Sequence, residues 1–416
     1  MTKKILLTIG ILIIVGVVVF LVFDSASPLN PGDTNGFSIR DYLPFGSSND
    51  LQISTTTENE GGSGLEITNT TVNQSVPRLR KISNEPVAGT VIFDIGTTSV
   101  VRFVEKGTGN VYETQSDTKT VTRLTNTTIP KIIRAFWLPN GSGFLAQTLI
   151  PGSEIVETNL VKLNKNTATS SNEILTPFST TINKLPTDIK EISIKPDGTK
   201  IFYYTINGLS SNWFISNPDG TGSSLMMSHP LTEWLPKWIS SNSITMQNKS
   251  SSDIIGYVYS FNTSNKILKK IGIGTNGISS IVNPDESFSL VSSGGNLPQL
   301  FLVNNQNSSS KKITFNGLAD KCIWLKSKNP TVYCAIPNEI PNGNYPDIWY
   351  KGLVSTDDII EKIDLDNDIF YNISNLSSES GQKIDVFNLS LSPNETHLIF
   401  QNKIDGYLWM LRIDKD

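Results

Sequence analysis

Residues 191–222, EISIKPDGTKIFYYTINGLSSNWFISNPDGTG, decide the fold. EISI and KIFYYT alternate apolar and polar or aromatic positions with period two, the pattern of strands with two distinct faces. Between them stands Pro196-Asp197-Gly198. Proline presets φ for a turn and glycine accepts a positive φ, so the two strands read as a hairpin. SNWFIS is a third strand, closed by its own Asp219-Gly220 turn, and the unit runs from Ile189 to Leu231.

Working outward, the same unit recurs along the chain. AFWLPNGSGFLAQ carries Pro139-Asn140-Gly141, SSIVNPDESFSLVS carries Pro284-Asp285-Glu286 and NLSLSPNETHLIFQ carries Pro393-Asn394-Glu395. EWLPKWISSNSITMQ and DKCIWLKSKNPTVYCAI keep the tryptophans Trp238 and Trp324 and the strands, with altered turns. PVAGTVIFDIGTTSVVRFVEKGTGNVYET opens the series. Several neighbouring turns lie about 43–46 residues apart, the spacing of four-stranded propeller blades. Two longer intervals call for insertions, one around 164–172 and one around 369–382.

A single small antiparallel sheet cannot bury both faces, whereas radial stacking buries face on face and leaves only short edges. The expected fold is therefore an all-β propeller of seven four-stranded blades, with six or eight as neighbouring counts. The last copy supplies three strands, FNLSLS, HLIFQN and YLWMLRI. PRLRKIS, from Pro77 to Ser83, resembles the fourth strands of other copies and is expected to complete the last blade.

The turn pattern, with an inner strand before it and an aromatic strand after it, resembles the units of TolB-type, WD-repeat-like β-propellers, most closely over residues 189–231. The resemblance covers about residues 80–416 and implies a binding platform, without assigning a function by fold alone.

Upstream, Ile5 to Phe23 is an uncharged apolar run preceded by Lys3 and Lys4 and followed by Asp24. It is long enough to span a bilayer, and the positive-inside rule places the N-terminus in the cytoplasm and the rest outside. A cleaved signal peptide, with Ser25 and Ser27 as a small-residue site, is the rival reading. Residues 25–76 are rich in Ser, Thr and Gly and poor in large apolar groups, so they read as a flexible linker. FSIRDYLPFG, from Phe37 to Gly46, is an amphipathic stretch within it, apt to lie near the membrane or pack on the main domain, with recognition of a partner as the alternative. The organisation is thus an anchor over 1–24, a linker over 25–76 and the propeller over 77–416. The expected location is the cell membrane, single-pass, with the propeller extracytoplasmic, in a bacterial cell envelope.

The 416 residues carry a net charge of −4, which disfavours a nucleic-acid partner. Charged residues are 17% and hydrophobic residues 38%, so coiled coils and long helical arrays are excluded. Two His and two Cys argue against imidazole catalysis and multi-ligand zinc. His229 and His397 read as packing or surface residues. The nearest approach to a nucleophile elbow, Gly61-Gly62-Ser63-Gly64-Leu65, lacks its final glycine and lies in the linker. Asp364, Asp366 and Asp368 begin like a calcium loop, but Ile369 and Asn375 occupy the positions that need Gly and Glu, so a solvated turn is expected. No cofactor and no metal site are expected.

Cys322 and Cys334 fall on what read as the two inner strands of one blade, where a disulfide worth on the order of 3 kcal/mol competes with two buried thiols. Trp137, Trp213, Trp234, Trp238, Trp324, Trp349 and Trp409 mostly occupy repeat-equivalent core positions. Trp234, in the connection HPLTEWLP, and Tyr345 and Trp349, in NGNYPDIWY, stand outside the pattern and are the candidates for an exposed binding patch. The expected role is a non-catalytic platform for an envelope or cell-surface protein or glycan. An envelope propeller enzyme acting on glycans, a hydrolase or lyase, is the alternative, and a purely structural spacer a third.

Overall fold

The computed structural model describes residues 75–166, 176–327 and 329–413. The chain divides into two units, Met1–Val72 and Asn73–Asp416, and the described residues all belong to the second. The expected anchor and most of the linker lie outside the described residues, as does the Gly61–Leu65 motif. Among the described residues no helix is long and apolar enough to cross a membrane.

Seven four-stranded antiparallel sheets follow one another along the chain. Blades 1 to 6 occupy residues 87–123, 132–184, 191–229, 234–276, 279–316 and 322–375, each with its strands in chain order. Blade 7 consists of Val386–Leu391, His397–Asn402 and Leu408–Arg412, completed by Leu79–Lys81. Leu79 stands opposite Leu411, Arg80 opposite Met410 and Lys81 opposite Trp409. The ring is thereby closed by the strand that the sequence PRLRKIS predicts, and its blade number is seven. The first strand of each blade lies innermost: Val87–Ile95 packs beside Ile132–Trp137, which neighbours Glu191–Ile194, which neighbours Trp234–Trp238, while Val386–Leu391 returns to Val87–Ile95.

Period-two alternation feeds both faces of each sheet. In Ile201–Asn207, Ile201 and Tyr203 join the cluster shared with blade 2, and Phe202 and Tyr204 join the cluster shared with blade 4. Each of the seven blade junctions holds one such buried cluster. Between the first and second strands the turns share a device. Asp197 accepts the backbone N–H and hydroxyl of Thr199, at 2.9 and 2.6 Å. Asn140 with Ser142, Asp285 with Ser287 and Asn394 with Thr396 repeat it. These are Asx turns, in which a short acidic or amide side chain replaces a backbone acceptor.

The third turn residue takes positive φ, 72° at Gly198. Glu286 and Glu395 adopt it too, at 62° and 57°. That conformation costs a non-glycine residue about 1–2 kcal/mol, and here each side chain is tied to the preceding blade. Glu286 accepts the Ser260 hydroxyl at 2.6 Å and Glu395 accepts the Lys326 backbone N–H at 2.6 Å.

Of the two expected insertions, the first falls largely on 167–175, outside the described residues. The second is the short helix Leu376–Ser380, capped by Asn375 at its start and by Gly381, at φ 75°, at its end. A longer insertion, which the sequence pattern did not reveal, links the second and third strands of blade 6.

Candidate functional site

That insertion, residues 338–357, leaves strand Thr331–Pro337 and returns at Asp358–Asp364. In blade 3 the corresponding link is Gly208 and Leu209 alone. The insertion folds over its neighbours. Tyr345 pairs with Gly295 of blade 5 through two backbone bonds of 3.0 Å, and Asp347 accepts the Ser252 N–H of blade 4 at 2.6 Å. Gly294 makes this approach possible, because a Cβ there would stand 2.5 Å from the Tyr345 carbonyl oxygen. Within the insertion Tyr345 and Trp349 pack on Leu318, with Ile340, Ile348 and Val354 around them.

Beneath Trp349 lies a buried ionic cluster. The Lys321 ammonium, 1% exposed, donates to Thr356 Oγ1 at 2.6 Å, Asp358 Oδ2 at 2.7 Å and Asp385 Oδ1 at 2.6 Å, and both carboxylates are fully buried. All three ammonium protons are thus used. Asp358 also accepts the Val386 N–H at 2.7 Å, and Asp385 accepts the Trp349 indole N–H at 3.0 Å. Burial pushes the Asp358 carboxyl above its ordinary range, an effect that Lys321 opposes. Lys321 and Lys403 each lie 5.0 Å from the Trp349 ring centroid, within cation–π range. Trp349 therefore couples the buried cluster to the central bore, which Lys403 lines.

The bore is a cavity of about 830 Å³, walled chiefly by the innermost strands of blades 1, 2, 3 and 7. Lys106, Arg134, Lys237 and Lys403 reach it, and no carboxylate lines it. Arg134 is neutralised by Glu191 at 2.8 Å and further held by Gln147 at 3.0 Å. Solvent reaches the Lys237 ammonium along the bore, but protein encloses it, and this desolvation draws its pKa below that of ordinary lysine, with Asp320 pulling the other way. Lys403 is lowered for the same first reason, offset by Asp385 and reinforced by Lys321. Neither ammonium donates a hydrogen bond to a described residue. Asp320 itself accepts the Tyr350 hydroxyl of the insertion. Burial raises the pKa of both the Asp320 carboxyl and the Tyr350 phenol.

The three aromatic residues expected on an exposed patch are instead buried: Trp234 is 1% exposed, Tyr345 2% and Trp349 1%. Removing such large rings from water is favourable, and each indole finds an acceptor, so the core claims them. Trp234 does not lie in a connection but opens the first strand of blade 4. There its indole donates to Leu231 at 2.9 Å and its ring meets Trp213 edge-on at 5.3 Å. Tyr345 and Trp349 come together in the insertion, away from Trp234. Cys322 and Cys334 stand directly opposite in register and their sulfurs are bonded. Asp364 accepts the backbone N–H of Asp366 and Asn367 within its hairpin turn, at 3.1 and 3.2 Å. His229 stacks on Trp213 at 5.7 Å, and burial lowers the pKa of both His229 and His397.

Sequence reasoning missed Lys321, Asp358, Asp385, Lys237 and Lys403. The one local signal was Lys237, a lone cation inside the otherwise apolar strand WLPKW. A second cavity, about 670 Å³, lies among the turns of blades 5, 6 and 7 and includes Phe288, Trp324 and Pro393.

No family model matches the chain, and no curated protein matches it in sequence. Among solved structures it is similar to an oligogalacturonate lyase in complex with manganese, with TM-score 0.51 and 10% identity over 77% of this chain and 87% of that one. It is also similar to oligogalacturonate lyase from Vibrio parahaemolyticus, with TM-score 0.49 and 9% identity over 82% of this chain and 97% of the other. TolB from Acinetobacter baumannii follows, with TM-score 0.40 and 9% identity over 64% of this chain and 59% of that one. Among the described residues of this chain, no three or more His, Cys, Asp or Glu side chains are grouped to hold a metal ion. At these identities what is shared is the fold: the chain is a seven-bladed β-propeller.

Proposed function

We propose that this chain is a membrane-tethered propeller of the bacterial cell envelope that binds an extracytoplasmic protein or glycan without transforming it. In this reading residues 5–23 anchor the chain, residues 25–76 set its reach, and the ring presents its bore and the surrounding connections. About 50 flexible residues would give an r.m.s. span of roughly 40 Å.

One observation carries the binding reading: among the described residues no carboxylate lines the bore, and the acid–base groups packed near it are committed to one another. Lys321 is held by Asp358 and Asp385, Tyr350 by Asp320, and Arg134 by Glu191. A general acid or base needs a proton-transfer partner in the substrate, and these groups already have internal ones. The enzymatic alternative, cleavage of an acidic glycan as the name of the lyase implies, draws on the unpaired Lys237 and Lys403.

The test is crosslinking of the full chain in its native envelope, followed by identification of attached proteins and glycans. Capture of a defined partner with no new reducing ends or unsaturated products on envelope glycans supports binding. Product formation that disappears in Lys237→Gln would establish the enzyme instead.

A further inference from the structure

The net charge of the chain is −4, yet the bore is lined by four cationic residues and no carboxylate. Among the described residues, Arg134 alone of the four has a carboxylate partner within ion-pair distance. Lys237 is open to the bore and Lys403 partly so, and neither ammonium donates a hydrogen bond to a described residue, so each can meet an anion with a charge-assisted contact. A bore lined by one sign of charge also focuses the field on whatever enters it.

The cations are not arranged in a row along one wall. Lys106 and Lys403 stand in the links between the second and third strands of blades 1 and 7, and Arg134 lies early in the first strand of blade 2. Those positions share one end of the bore. Lys237 is the fourth residue of Trp234–Trp238 and lies deeper. This distribution, from one end of the bore to its depth, suits an extended acidic segment entering end-on better than a polyanion laid flat across a cleft. Between the cations the wall is mixed, with Ile133, Phe136, Phe387 and Leu389 beside Ser193, Asn388 and Ser390. The innermost strands also leave one backbone edge without a sheet partner, and breaks in register at Val87/Gly89, Ile132/Arg134 and Phe387/Ser390 loosen those strands further. Unpaired strand edges are what an extended peptide recognises.

We propose that the central bore is a binding site for an acidic, extended peptide segment of a partner protein, whose carboxylates meet Lys237 and Lys403. This rests on the reading of the chain as a binding module and names the chemistry of its partner.

The experiment is fluorescence anisotropy with the full chain in detergent and fluorescein-labelled hexaglutamate, with hexaglutamine and hexagalacturonate as comparison probes. Hexaglutamate is expected to bind and hexaglutamine not to. Lys237→Gln and Lys403→Gln are each expected to weaken binding about tenfold, the loss of one charge-assisted contact. Lys237→Arg retains affinity, which separates lost charge from lost folding. Lys269→Gln, on the outermost strand of blade 4, leaves it unchanged. Equal affinity of the two Gln variants and the native chain for hexaglutamate overturns the proposal. So does binding of hexagalacturonate in preference to hexaglutamate, which would make the ligand an acidic glycan. If hexaglutamate fails while crosslinking still captures a partner, this inference falls and the binding reading stands. If glycan products form, the binding reading itself falls.

Discussion

The junction between blades 3 and 4 and the junction between blades 6 and 7 perform the same task with opposite chemistry. In the first, Trp213, Trp234, Trp238, Phe202 and Phe261 interlock as a nearly continuous aromatic layer. In the second, an apolar layer around Phe400 and Trp409 is accompanied by Lys321, Asp358, Asp385 and Thr356, all buried. Apolar burial is non-directional even though the rings prefer edge-on contact, so such a layer tolerates local relaxation. A buried charge cluster adds little net stability but is severe when broken, because each survivor is left uncompensated. One lysine faces two carboxylates there, so the cluster also leans on the indole N–H of Trp349, and through it on the insertion.

The sharpest way to break the comparison is Lys321→Met, which strands two buried carboxylates and should destabilise by about 3–5 kcal/mol in urea titration. A loss below about 1 kcal/mol would show that the cluster does not hold the junction. Simultaneous replacement of Lys321, Asp358 and Asp385 by apolar residues should restore most of the loss. The deficit of the single variant should also shrink in acid. An aspartate whose folded pKa lies above its unfolded value gives stability that is present below the unfolded pKa and lost as pH rises through the folded pKa. Protonating Asp358 therefore relieves the unpaired charge.

Next in size, Trp213→Ala should cost about 3 kcal/mol through the cavity it leaves, with no comparable recovery in acid. Gly294→Ala should cost about 1–3 kcal/mol by overpacking against the Tyr345 carbonyl, and should expose residues 338–357 to limited proteolysis; unchanged protection would mean that the insertion is held elsewhere.

The smallest effect is a pH dependence near neutrality. His229, at the aromatic junction, and His397 are both depressed below ordinary histidine. Such groups contribute stability above the unfolded pKa, near 6.5, which is lost as pH falls through the folded value. The thermal midpoint should fall between pH 7 and pH 5, and a His229→Gln/His397→Gln chain should lose that slope. A flat native profile contradicts it.

What could be read from the sequence follows the range of the interactions. Alternation in KIFYYT and the Pro-Asp-Gly turns are local, so blade 3 is visible in about forty residues of text. Ring closure is long-range, but the LRK strand repeats a local pattern and was legible for that reason. The ionic cluster joins Lys321 to partners 37 and 64 positions away. None of its members carries a local mark, so only the folded ring brings them together. Trp234 was misassigned because HPLTEWLP carries two prolines and resembles a connection, whereas Pro236 sits within the short innermost strand of its blade. Tyr345 and Trp349 stand outside the repeat, but their burial within the insertion depends on contacts with blades 4, 5 and 7.

The clasp strand Leu79–Lys81 has a mechanical corollary. It is where the propeller receives the preceding part of the chain, so tension applied from that side falls on three residue pairs with the final strand. Two arginines brace it laterally. Arg78 reaches blade 6 through Glu379 at 2.9 Å and the Ile373 carbonyl at 2.6 Å, and Arg80 reaches blade 1 through the Gln115 carbonyl at 2.6 Å. Tension from that side is thereby shared among three adjacent blades instead of unzipping one.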